Sequence, residues 1–189
     1  IQLSVALYLG VNAALQLLMG PISDRWGRRP VILWGLGLFL VATLGCIFAP
    51  NVTVFLTFRM VQASVVVAMV LSRAIVRDMV PQDRAASMIG YVTMGMAVVP
   101  MIGPAFGGQL DEAFGWQANF WALFVLGAAL FVVCWRDLGE TAPLSGRTLM
   151  QQFRDYPALL TSRRFWGYAL AAGLSSGAFF AYLGGAPFV

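Results

Sequence analysis

Apolar residues run along this chain in stretches about twenty long, and the polar residues gather in the gaps between them. Six runs stand out: Ile1 to Gly20, Val31 to Ala49, Val52 to Ser72, Ala85 to Leu110, Ala113 to Trp135 and Phe165 to Val189. A helix rises about 1.5 Å per residue, so about 20 residues cross the roughly 30 Å hydrocarbon core of a bilayer. A chain inside lipid must pair its own backbone N–H and C=O groups, which a single helix does by itself. The pattern therefore predicts an all-α, polytopic transmembrane bundle with six spans. Both ends of the sequence fall within apolar runs, and the reading expects a piece of a longer membrane protein.

The gaps alternate in kind. "PISDRWGRRP", "RAIVRDMVPQDR" and the stretch from Arg136 to Arg164 hold eleven of the twelve arginines. The other two connections, "PN" at Pro50–Asn51 and "DE" at Asp111–Glu112, hold none. Basic loops stay on the cytoplasmic side, so the arginine-rich set is expected there and the two short connections outside. Within 136–164, "RTLMQQFRDY" places Leu149, Met150 and Phe153 on one helical face, with Arg147 and Arg154 available to the other. This reads as a short interfacial helix that Pro157 ends or kinks.

Composition agrees with a lipid setting. The chain is 60% hydrophobic and 11% charged, against about 25% charged in a typical soluble domain. Its pI of 9.6 comes from arginines at membrane-edge loops, so nucleic acid is not expected as a partner. There is no histidine, no phosphate-cradling glycine loop and no nucleophile–base pair, so an enzyme is not expected. Cys46 and Cys134 both lie in apolar runs. Neither a disulfide framework nor a metal site is expected.

The densest polar gap reads G-x-[aliphatic]-[small]-D-R-x-G-R-[basic] from Gly20 to Arg29, and it continues to an aliphatic Ile32. Pro21 disfavours simple continuation of the first helix, and Gly27 permits a tight turn. The pattern, Gly20, Asp24, Arg25, Gly27, Arg28 and Arg29 included, resembles the cytoplasmic signature between the second and third helices of the major facilitator superfamily. The resemblance implies that the six runs are helices two to seven of that fold. It divides the chain into 1–135 in the N-terminal bundle, 136–164 as the connection, and 165–189 as the first helix of the C-terminal bundle. It also implies that Asp24 helps latch two halves together. Charge at Arg28 is expected to matter less, because Arg25 and Arg29 flank it.

Arg59 is the one charge inside a run. A buried arginine in a span costs at least about 2.5 kcal/mol on insertion scales. "FLTFRMVQ" resembles the family's second signature, an intramembrane Arg followed three residues later by Gln, here Arg59 and Gln62; the glycine that usually follows is Ala63. Proton coupling or substrate contact is one reading of the pair, and a snorkelling arginine near the outer end is the other. "GPAFGG", with Gly103, Pro104, Gly107 and Gly108, resembles the antiporter signature. Gly90 fits its earlier glycine, and Val99 replaces another. Close helix packing explains the same residues. Tyr8, Asn12 and Gln16, four apart, share a helix face. They either line a cavity or hydrogen-bond between helices. Met94, Met96 and Met101 are expected to fill the core.

"SRAIVRDMVPQDRAA" and "GAFFAYLGGAPFV" are similar to the Bcr/CflA drug-efflux group of the superfamily. That resemblance implies a monomeric, proton-driven multidrug exporter in a bacterial inner membrane. It would need no cofactor beyond the proton gradient, and its partners would be drug-like small molecules, protons and the lipid bilayer. An exporter or importer of a small metabolite, and a transporter-like receptor that binds without transport, are the alternatives. No Asp or Glu lies within the runs away from their ends. The acidic proton carrier is expected in helix one, outside this sequence.

Overall fold

A computed structural model describes residues 2–142, 149–154 and 156–185. It divides into two compact units, Ile1–Gly146 and Arg147–Val189, and the boundary falls inside the 136–164 connection. The described residues are helical without strands.

The first unit holds α1 (Gln2–Trp26), α2 (Arg28–Ile47), α3 (Val52–Gln62), a 3₁₀ turn (Ala63–Val65), α4 (Val66–Met79), α5 (Gln82–Phe114) and α6 (Trp116–Asp137). α3, the 3₁₀ turn and α4 form one 28-residue span, Val52–Met79. With α2, α5 and α6 it makes four stretches long and apolar enough to cross a membrane among the described residues. α1 is a further continuous helix of 25 residues.

α2 lies at the centre, packed against α6, α3 and α4, while α1 lies along α4. Its buried positions, Val31, Ile32, Gly35, Leu36, Phe39, Ala42, Thr43 and Cys46, recur every three or four residues. That spacing gathers them on one face of a helix. Val31, Ile32 and Leu36 meet Val67 and Leu71 of α4, with Met19, Ile22 and Phe131 packed around them. Small residues permit this approach. A Cβ on Gly35 would stand 2.9 Å from Val67 Cβ, and one on Gly127 would stand 2.7 Å from the Phe39 ring. α5 contrasts with α2, since Ala85 is the one buried residue among its described positions.

Three predicted boundaries move. α1 runs on through Pro21 to Trp26. Proline withdraws a single donor from the ladder, and the chain turns instead at Gly27, whose φ of +96° is left-handed. "RAIVRDMVPQDR" is largely helix, because α4 extends to Met79 and α5 begins at Gln82. Val80 is extended before Pro81, as a residue preceding proline prefers. Asp111 and Glu112 are the last turn of α5 rather than a connection. The break comes at Gly115, with φ +82° and its N–H donating to Asp111 O at 2.8 Å. The Pro50–Asn51 turn stands as expected. Asn51 caps α3, its Oδ1 accepting from Val54 N at 2.9 Å.

The second unit holds α7 (Leu149–Phe153), α8 (Tyr156–Leu160) and α9 (Arg163–Gly185). α7 falls where the interfacial helix was expected, though Arg147 and Thr148 lie outside the described residues. Pro157 sits in the first turn of α8, where its missing N–H costs no helical bond. Trp166 Nε1 of α9 donates to Leu160 O at 2.7 Å, tying α9 to the end of α8.

Candidate functional site

The turn between α1 and α2 builds a closed polar cluster around one side chain. Arg28 is 4% exposed. A buried guanidinium must find acceptors for its rigid fork of donors, or it costs several kcal/mol. Nε donates to Asp78 Oδ2 of α4 at 3.0 Å. Nη1 lies 2.7 Å from Asp24 Oδ1 and donates to Ser23 Oγ at 2.6 Å. Ser23 Oγ in turn donates to Gly20 O at 2.9 Å. Gly20, Ser23, Asp24 and Arg28 thus close through side chains that α1 and α2 hold at their facing ends. Arg29 reaches a third helix, with Nη2 donating to Trp135 O of α6 at 2.9 Å. Arg25 is exposed and makes no ion pair among the described residues.

The expectation that Arg25 and Arg29 would stand in for Arg28 does not fit this geometry. Arg28 is the centre of the cluster, and its exposed neighbour Arg25 cannot take its place. Asp78 and Glu140 were not legible from spacing, because they come from segments 50 and 112 residues away. Glu140 lies just beyond α6 and accepts from the backbone N of Arg28 at 2.7 Å and of Arg29 at 3.3 Å. Burial works to raise its pKa. The backbone N–H groups of Ala142, Arg28, Arg29 and Thr141 outweigh that effect and hold the carboxyl below its ordinary value of 4.5.

A second polar cluster lies inside the bundle. Arg59 stands seven residues into the Val52–Met79 span, about 10 Å along it. Its Nη1 donates to Gln62 Oε1. Gln62, 1% exposed, passes the chain on: Nε2 donates to Thr43 Oγ1 of α2 at 2.8 Å. Thr43 Oγ1 donates to Phe39 O at 2.7 Å. On its other side the guanidinium faces two rings, 4.9 Å from the Tyr8 centroid and 5.7 Å from the Phe120 centroid. Phe120 stacks edge-on with Phe55 and Trp116. The sequence pattern paired Arg59 with Gln62, and the structure adds Thr43, Tyr8 and Phe120.

The remaining candidates are less closely assembled. Tyr8 meets Arg59, but Gln16 Nε2 donates to Asn12 Oδ1 at 2.7 Å along α1 itself, so these two bond within one helix rather than between helices. On α5, a Cβ at Gly103 or Gly108 would meet nothing within 4 Å. One at Gly107 would stand 3.3 Å from Asn119 Oδ1, and Asn119 Nδ2 donates to Gly107 O at 3.1 Å. α5 continues through Pro104. Met94 and Met101 are 61% and 74% exposed, so they do not fill the core of this unit, whose α5 buries so little. Met96 Sδ takes a long contact, 3.8 Å, from Arg73 Nη2.

Over residues 1–189 the chain matches the family described as the Major Facilitator Superfamily. It is 35% identical, over 100% of its length and 48% of the relative's, to the uncharacterized MFS-type transporter YdgK of Bacillus subtilis (strain 168). It is 32% identical to the multidrug transporter MdfA of Yersinia pestis bv. Antiqua (strain Angola), over 98% of this chain and 46% of that protein. It is 36% identical to a chloramphenicol resistance protein of Pseudomonas aeruginosa, over 99% of this chain and 45% of that protein. The chain spans about half the length of the curated relatives it matches.

Proposed function

Because the chain belongs to the major facilitator superfamily, a family of membrane transporters rather than enzymes, we propose that the full-length protein exports drug-like molecules in exchange for protons. The substrate class rests on two relatives, one named a multidrug transporter and the other a chloramphenicol resistance protein. The observation that carries the coupling is Arg59, a cation held within a membrane span by buried Gln62 and flanked by aromatic rings. A positive charge in such a setting lowers the pKa of a carboxylate brought near it and holds that group ionised. Drug binding that brings the two together drives the carboxylate's proton off, and separating them lets the group take a proton up again. The Val52–Met79 span carries Arg59 near one end and Asp78 near the other, about 28 Å apart. One span, interrupted by the 3₁₀ turn at Ala63–Val65, thereby joins the coupling residue to the Arg28 cluster, and the cluster acts as the conformational latch.

The proposal places the arginine-rich helix ends in the cytoplasm of a bacterial cell, as the positive-inside rule directs. Arg25→Cys and Arg84→Cys then label from the cytoplasmic side and Asn51→Cys from outside, all three positions being exposed. Drug accumulation in energised cells tests the function. Cells carrying the full-length protein hold less drug than cells carrying Arg59→Gln, and an uncoupler removes the difference. Equal accumulation in both would leave a metabolite transporter or a non-transporting receptor as the better reading.

A further inference from the structure

The start of α2 lacks any cap of its own. A helix leaves its first N–H groups without intrahelical partners, and Ser, Thr, Asp or Asn at the N-cap normally answers one of them. Here the N-cap is Gly27, with no side chain to offer. Each of the first four positions is nevertheless accounted for. Gly27 N donates back to Ser23 O at 2.9 Å. Arg28 N and Arg29 N donate to the two carboxylate oxygens of Glu140. Pro30 has no N–H to satisfy. A single carboxylate, 112 residues from Arg28 in sequence, therefore answers the two N–H groups that remain. As an anion it also meets the positive end of the helix dipole.

Gly27 and Glu140 depend on each other. The left-handed φ at Gly27 favours glycine, and a Cβ there would collide with the Glu140 carboxylate. The position is thus held to glycine both by the backbone and by the incoming carboxylate. Ala142 N donates to Glu140 Oε1 at 3.0 Å, so the same side chain also folds its own segment against the turn.

We propose that Glu140 is a positioning residue of the transport cycle: by capping α2 it fixes the backbone from which Arg28 reaches Asp24 and Asp78, and it fastens the start of the inter-unit connection to that latch. This rests on the reading of the Arg28 cluster as a latch. Movement of the connection is then delivered to the first turn of α2 rather than absorbed in slack chain.

Two measurements on the full-length protein test it. The first is hydrogen exchange at the Arg28 and Arg29 amides. Loss of a bond to a charged acceptor is worth about tenfold in opening or more. Glu140→Gln and Glu140→Ala each speed exchange at Arg28 and Arg29 by about that factor, while amides in the second half of α2 keep wild-type protection. The second is drug transport in proteoliposomes. Both variants lower the maximal rate severalfold and leave the drug KM within about twofold. Unchanged exchange at both amides overturns the cap, and faster exchange with a wild-type maximal rate overturns the positioning role. Because exchange does not depend on the substrate, a wild-type protein that moves no drug would count against the efflux reading and leave the cap tested. If Glu140→Ala folds poorly, its double mutant with Gly27→Ala supplies the check. Removing the carboxylate relieves the collision, so the pair loses less folded protein than the sum of the two single changes. Simple additivity would contradict the contact.

Discussion

The turn between α1 and α2 and the glycine–proline segment of α5 are both dense signatures in sequence, yet the structure treats them differently. The Arg28 side chain finds its partners within the same unit, and the residue is 4% exposed. Around Gly103 and Gly108, nothing approaches within 4 Å of where a side chain would begin. Both segments carry residues suited to close contact, but in α5 the contact is made at Gly107, which meets Asn119 of α6. A signature that closes on nearby helices can be read to the atom here.

The largest expected effect separates buried Arg28 from its exposed neighbour Arg25. Arg28→Gln takes the cation from largely buried Asp78, and breaking a buried pair in this way costs about 3 kcal/mol. Folded, monodisperse yield and thermal midpoint both fall. Arg25→Gln stays within about 0.5 kcal/mol of wild type. Equal loss in both would return the cluster to a general positive anchor.

Glycine substitutions sharpen the contrast between α2 and α5. A methyl group at Gly45 would run into the Phe58 ring. Gly45→Ala therefore destabilises by about 1–3 kcal/mol through overpacking. Gly103→Ala has open space and replaces the weaker helix former, so it is neutral or stabilises by up to about 1 kcal/mol. Thermal unfolding in detergent reads both. If Gly103→Ala keeps its stability but loses transport, the antiporter reading of the α5 signature gains support. If it keeps both, the glycines of α5 serve packing alone.

The smallest effect is a pH dependence at the cap. The Glu140 carboxyl has a lowered pKa in the folded protein. The stabilisation it provides is fully present above the ordinary carboxyl value and is lost as pH falls through the depressed one. Exchange at the Arg28 and Arg29 amides therefore differs between wild type and Glu140→Gln across neutral and mildly acidic pH. The two converge only below the ordinary value of 4.5. Convergence between pH 7 and pH 6 would mean that another group governs the turn.

Periodicity in the sequence placed the helices, because burial in lipid or against a neighbour writes itself as runs of apolar residues. Turns were harder. Asp111 and Glu112 read as a connection because they are charged, but charges are also tolerated in a last helical turn at the water boundary, and the turn itself needed the left-handed φ of Gly115. The pairing of Arg59 with Gln62 was legible because three residues make nearly one helical turn. Thr43 and Phe120 were not, because no local spacing links α3 to α2 or α6. Glu140 illustrates the same limit. Its role depends on the chain returning through four spans, and a lone glutamate after a span carries no pattern.

The measurement that bears most directly on proton-coupled efflux is drug-induced proton release from the full-length protein in detergent, compared between wild type, Arg59→Lys and Arg59→Gln. Folded yield is followed alongside. Arg59 acting by charge predicts release on drug addition in wild type and a reduced but measurable release in Arg59→Lys, which keeps the charge without the planar fork. It predicts no release in Arg59→Gln, although that variant folds and binds drug. Wild-type proton release from well-folded Arg59→Gln would contradict the account and leave Arg59 a brace for Gln62 and Thr43.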